Sequence, residues 1–138
     1  MNKLEFGFIV GVSSIISELS QFPQDVADFI GCQFALESDF GRSSLAVGNE
    51  NYCGMRNPSM RISTAHHAGD GSYNWASYDD LYSCVIDYLF CLQYHHPCFD
   101  NYSSVLGFSN FIRKFYCPEK DYIDRINSIF QQFKSFKP

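Results

Sequence analysis

The chain has 138 residues, enough for one buried core, and its 46% apolar and 17% aromatic content excludes a disordered or fibrous protein. A net charge of −5, with 10 Lys plus Arg and no basic cluster, excludes charge-driven capture of nucleic acid or of an anionic surface. No Pro/Ser/Gly-rich spacer, charge block or repeat divides the sequence, so residues 1–138 read as a single domain.

The first element is the apolar run Phe6 to Ile16, preceded by Lys3. Glu5, Ser13 and Ser14 interrupt it, no small-x-small cleavage site follows, and it is too short to span a bilayer, so it reads as a core helix. Leu4, Phe8, Ile15 and Leu19 supply its expected stripe, and a second helix is predicted to begin with Pro23 or Gln24 in its first turn. On this reading the protein is synthesised in the cytoplasm without a signal peptide and has no membrane span.

The second helix runs through Val26, Phe29, Ile30, Cys32, Gln33 and Phe34 to Glu37, and the chain must then turn at Gly41. A carboxyl leaving an apolar face for a glycine turn is partly desolvated, which favours its neutral form and suits a proton donor near neutral pH. Taken alone, the segment fits equally well a glutamate that caps or ion-pairs a helix end.

Ser43 to Val47 is predicted to form one short turn and Asn49 to Arg56 a loop. Met60 to His67 and Ser72 to Ser77 read as a hairpin around Gly69-Asp70-Gly71, because Asp-Gly between extended runs favours a tight turn. With Asp79 or Asp80 as N-cap, a helix through Leu81, Val85, Leu89 and Leu92 follows, then one around Ser109 to Tyr116 and a last from Asp121 to Phe136. The predicted class is mostly α (α+β), with one small hairpin.

Six cysteines include no Cys-x-x-Cys pair, and Cys84 and Cys91 fall two turns apart on one helix, so all are expected as thiols rather than disulfides. His66-His67 and His95-His96 match no structural zinc spacing, and neither a metal nor another cofactor is expected.

Ala35-Leu36-Glu37-Ser38, with Gly41, Ser43, Leu45 and Ala46, resembles the signature of the glucosaminidase domain of glycoside hydrolase family 73. The likeness continues in the family's order through Asn51-Tyr52-Cys53-Gly54-Met55-Arg56, Trp75-Ala76-Ser77-Tyr78, Asp87-Tyr88, His96-Pro97-Cys98-Phe99 and Tyr122-Ile123-Asp124-Arg125-Ile126. It covers the chain from about Gln24 to Phe130, and departs from the family at Asp39, commonly glycine, and at Cys53, commonly aromatic.

The resemblance implies a lysozyme-like fold, a helical domain and a small β-hairpin lobe with the active cleft between them. It implies an endo-β-N-acetylglucosaminidase acting on peptidoglycan glycan strands, with Glu37 as general acid; because the sequence shows no linker, no separate wall-binding domain is expected on this chain. Tyr78 matches the family's cleft tyrosine and is assigned the second catalytic role, orienting the substrate's acetamide or facing an oxocarbenium ion. Glu50 and Asp70 are the candidate second carboxylates, Asp70 doubling as a turn residue; with neither engaged, the 2-acetamido group of the substrate is the nucleophile. Asn51, Arg56, Trp75 and Tyr122 are the expected substrate contacts, Asn51 and Arg56 alternatively positioning their loop. Asp39, two residues from the acid, is expected to raise the pKa of Glu37 if both point into the cleft.

Two rival readings stand beside this one: an N-acetylmuramidase of the same superfamily, and a non-catalytic wall-binding module that keeps the fold. A wall hydrolase made without a leader reaches its substrate as a phage or prophage lysin released through a holin, or as an effector carried by a secretion machine. An immunity protein is then a partner if the enzyme meets the producer's own wall. The protein is expected to be a monomer.

Overall fold

The computed structural model describes residues 1–67 and 74–136. Asn2 starts the first helix, α1 (Lys3–Leu19), with a reciprocal cap: its side chain accepts from the Glu5 amide at 2.9 Å, and the Glu5 carboxylate accepts from the Asn2 amide at 2.9 Å. α1 turns Ile9, Val12, Ser13 and Ile16 inward, at helical spacing. The expected stripe of Leu4, Phe8, Ile15 and Leu19 is therefore rotated away from the real one, and Leu4 is 86% exposed. The cause is the second helix, α2 (Gln24–Ser38): a Cβ on Gly31 would lie 2.8 Å from the carbonyl oxygen of Ile9, so the two backbones nearly touch there and the Ile9 face must be the inner one.

Every α2 residue from 26 to 35 is buried, which makes it the axis of the fold. After it come a short helix α3 (Ser44–Asn49), two antiparallel strands β1 (His66–His67) and β2 (Ala76–Ser77), helix α4 (Leu81–His95), a single 3-10 turn (Phe99–Asn101), α5 (Val105–Phe115) and α6 (Tyr122–Phe136). Asp80 caps α4 by accepting from the Ser83 amide at 2.8 Å, and Ser104 caps α5 by accepting from Gly107 at 3.1 Å.

Aromatic rings join the helices. Phe29 of α2 meets Phe108 of α5 and Phe130 of α6 edge to face, with ring centres 6.3 and 5.7 Å apart, and Phe34 meets Tyr88 of α4 at 5.0 Å. Phe6 of α1 stacks on Phe133 of α6 at 4.9 Å. Burying each such side chain contributes about 1.5–3 kcal/mol. Among the described residues no helix is long and apolar enough to cross a membrane.

The β-lobe is smaller than the sequence suggests. Among the described residues the pairing is His66 with Ser77 and His67 with Ala76, and Met60 to Ala65 is not a strand. That run is drawn onto α4 instead: Arg61 and Ser63 bind the Asp87 carboxylate, and the Thr64 hydroxyl donates to the Ser83 carbonyl at 2.6 Å. β2 takes its other partner from the loop after α3, through a bridge between Arg56 and Trp75 and a bond from the Ala76 amide to the Met55 carbonyl at 3.0 Å.

Candidate active site

Glu37 stands in the last turn of α2, and the way that helix stops decides where its carboxyl goes. The Ser38 hydroxyl donates back to the Phe34 carbonyl at 2.7 Å and accepts from the Gly41 amide at 2.9 Å. Asp39, Phe40 and Gly41 then all take positive φ, at 49°, 55° and 82°, so the chain reverses in one step. Ser43 opens α3 by accepting from the Ala46 amide. Glu37 is left half-buried, pointing away from this reversal toward the loop of residues 51–56 and the start of α6.

The carboxyl faces two groups at close range. Its Oε1 accepts from the Tyr122 hydroxyl at 2.7 Å. Its Oε2 lies 3.2 Å from the place a Cβ would occupy on Gly54, a residue at φ +67°. Burial pushes the Glu37 pKa above the ordinary carboxylate range, against the Tyr122 hydrogen bond and the attraction of Arg125, while Glu119 adds repulsion. Asp39 has no part in this: it is exposed and pairs outward with Arg42 at 2.9 Å, because its left-handed backbone turns it away from the cleft.

Glu37 opens onto a cleft of about 620 Å³ whose walls include Gly54, Arg56, Arg61, His95 and Tyr116. The loop wall is fixed from behind. The Asn51 carboxamide donates to the carbonyls of Met55 and Ala76 at 2.8 and 2.9 Å and accepts from the Met55 amide at 3.2 Å. The Tyr116 hydroxyl donates to the Cys53 carbonyl at 2.6 Å. Cys53 is buried with its Sγ 3.5 Å from that of Cys84, and all six cysteines are free thiols.

The structure brings Glu37, Tyr122 and Arg56 to the cleft region, Arg56 with its guanidinium over the Trp75 ring at 5.1 Å. Asn51 is buried and spends its side chain on the loop. Tyr78 is also buried: its hydroxyl donates to Asp87 at 2.6 Å, beside Arg61 at 2.7 Å and Ser63 at 2.6 Å on the same fully buried carboxylate. Glu50 caps α3 with a left-handed backbone and accepts from the Tyr52 hydroxyl, and it is not among the residues lining the Glu37 cleft. Asp70 lies outside the described residues.

The sequence reading left Gln33, Arg61, Asp87, Tyr88 and Tyr116 without roles. The signal for Gln33 was present, a polar side chain inside an apolar run; it is fully buried and bonded to Tyr122 at 3.0 Å. No group of three or more His, Cys, Asp or Glu able to hold a metal occurs among the described residues.

A half-buried carboxyl whose pKa is raised by burial, one oxygen tied to a phenol and the other beside an open groove, is placed to deliver a proton to an oxygen bound in the groove. Residues 15–135 match the Glucosaminidase family, described as mannosyl-glycoprotein endo-beta-N-acetylglucosaminidase. No curated protein sequence matches the chain. Among solved structures the chain is similar to one from a type VI secretion system effector-immunity complex of Pseudomonas protegens, at 13% identity and a TM-score of 0.72, covering 97% of this chain and 94% of that one. It is similar to the catalytic domain of the autolysin Auto of Listeria monocytogenes, at 18% identity and a TM-score of 0.66, covering 97% and 86%. A C-terminally truncated glycoside hydrolase domain of Salmonella typhimurium FlgJ gives 18% identity and a TM-score of 0.66, covering 96% and 97%.

Proposed function

Since the chain belongs to the Glucosaminidase family and is a glycoside hydrolase, we propose that it is an endo-β-N-acetylglucosaminidase of peptidoglycan with Glu37 as its general acid. The observation that carries the assignment is the half-buried Glu37 carboxyl, its pKa raised by burial, opening on the cleft. Glu37 gives its proton to the glycosidic oxygen as the bond from that oxygen to the anomeric carbon breaks. The acetamide carbonyl oxygen of the same sugar closes on the anomeric carbon, and the Glu37 carboxylate then takes a proton from the water whose oxygen reopens the ring, restoring the acid.

Within the described residues Glu37 is the carboxylate that lines this cleft, which favours nucleophilic help from the substrate over a second protein carboxylate. Asp70, in the chain between β1 and β2, is the alternative second carboxylate. Digesting purified peptidoglycan with the wild type and with Glu37→Gln, reducing the products with borohydride and weighing them tests the whole reading. Reduced N-acetylglucosamine ends that disappear with Glu37→Gln support it. Reduced N-acetylmuramic acid ends move the assignment to a muramidase, and no new ends with retained sacculus binding leaves a wall-binding module.

The likeness to a chain of an effector-immunity complex supports delivery to the wall as an effector, with a partner protein that protects the producer. Expression directed to the periplasm is then expected to lyse cells, and the same chain kept in the cytoplasm to be tolerated.

A further inference from the structure

We infer that Gln33 and Tyr88, both buried behind the cleft, determine which oxygen of Glu37 carries the acid proton. The inference rests on Glu37 being the general acid and gives that site an orientation.

Three hydrogen bonds join in series. The Tyr88 hydroxyl lies 2.5 Å from Gln33 Oε1, Gln33 Nε2 lies 3.0 Å from the Tyr122 hydroxyl, and that hydroxyl lies 2.7 Å from Glu37 Oε1. The spacings fix the direction of the Gln33 amide. A contact of 2.5 Å suits O–H···O and is too short for N–H···O, whereas 3.0 Å is the ordinary N–H···O length. Tyr88 is fully buried and gives its only hydroxyl hydrogen to Gln33. Gln33, also fully buried, donates in turn to the Tyr122 oxygen.

A phenol has one hydrogen. With its oxygen already accepting from Gln33, Tyr122 directs that hydrogen to Glu37 Oε1. Oε1 is then an acceptor in both protonation states, and because the carbonyl oxygen of a neutral acid accepts better than its hydroxyl oxygen, the proton is favoured on Oε2. Oε2 is the oxygen beside Gly54, on the cleft wall. Were the amide reversed, Tyr122 would donate to Gln33 and accept from Glu37, and the proton would point into the protein. Gln33 and Tyr88 are thus positioning residues acting through Tyr122. Among the described residues the other charged groups acting on the Glu37 carboxyl are Arg125 on α6 and Glu119 in the turn before it, and neither is in the series.

The test labels glutamate side-chain carboxyl carbons with 13C and follows the Glu37 resonance, assigned by its loss in Glu37→Gln, from acid to alkaline pH. The same samples give pH–rate profiles on peptidoglycan. Gln33→Glu accepts from both phenols and removes the Tyr122 hydrogen from Glu37. The Glu37 midpoint is expected to rise by about one pH unit and kcat to fall about tenfold with KM little changed. Gln33→Met and Tyr88→Phe add no charge, and Tyr88→Phe keeps the ring against Phe34; both are expected to move the midpoint upward by a smaller amount. A role confined to packing would lower the melting temperature and leave the midpoint in place. Midpoints and pH–rate limbs that coincide with the wild type in folded variants overturn the inference. If the wild type itself cleaves no peptidoglycan, the proposed function fails while the titration still reads the relay.

Discussion

Glu37 shows how one side chain ties function to stability. Its pKa is raised in the folded protein, so it favours folding at pH values below the ordinary carboxylate range, and that contribution is lost as pH rises through its own elevated pKa. An amide has no charge to bury and still accepts from Tyr122. Glu37→Gln is therefore expected to melt at a higher temperature than the wild type near neutral pH, with the difference shrinking toward acid, as paired calorimetric scans would reveal. Gly54 is the matching case on the opposite wall. At φ +67° an alanine is strained, and its Cβ would crowd Oε2 at 3.2 Å. Gly54→Ala is expected to lower kcat about tenfold or more through this displacement, with a modest fall in melting temperature; unchanged kcat in a folded variant would show that Oε2 is not the donor. Glu37 was legible because a carboxylate ends an apolar helix at a glycine turn. The partnership of Gln33 with Tyr122, 89 positions away, was not, because no local period records it.

At the scale of elements, α4 was legible because a cap at Asp80 and a stripe coincide, whereas α5, expected around Ser109 to Tyr116, begins earlier, at Val105 behind its Ser104 cap. α1 was legible as a helix but not in its rotation, which a single close approach at Gly31 sets from outside the element. The hairpin was overextended because the run from Met60 to Ala65 prefers bonds to α4 over a strand partner. Asp87 is the centre of that attachment, accepting from Arg61, Ser63 and Tyr78. Asp87→Ala leaves Arg61, its side chain 9% exposed, without its counter-charge. A loss of about 3–5 kcal/mol is expected from urea unfolding, and a loss below about 1 kcal/mol would mean that the attachment is loose in solution. Tyr78 belongs to this cluster, so Tyr78→Phe is expected to disturb the cleft wall through Arg61.

Over the whole molecule, the helices surround α2 while the cleft is built where α2 ends, between a loop fixed by Asn51 and two tyrosines, Tyr116 just after α5 and Tyr122 at the start of α6. Gly31→Ala would press a methyl group against the Ile9 carbonyl, and because backbone cannot move aside cheaply the cost expected from thermal or urea unfolding is about 1–3 kcal/mol. The fold class was legible from composition and element order, and the family from motifs in sequence; the depth of α2 was not, since its apolar residues alone do not say how many neighbours cover them. That depth bears on how the chain can change over generations. A helix buried on all sides from 26 to 35 has no free face on which neutral substitutions can collect. Exhaustive single-site substitution should therefore show an unbroken intolerant block over α2 and a striped pattern over α6, with variation gathering on the outer helices while the axis that presents Glu37 stays fixed.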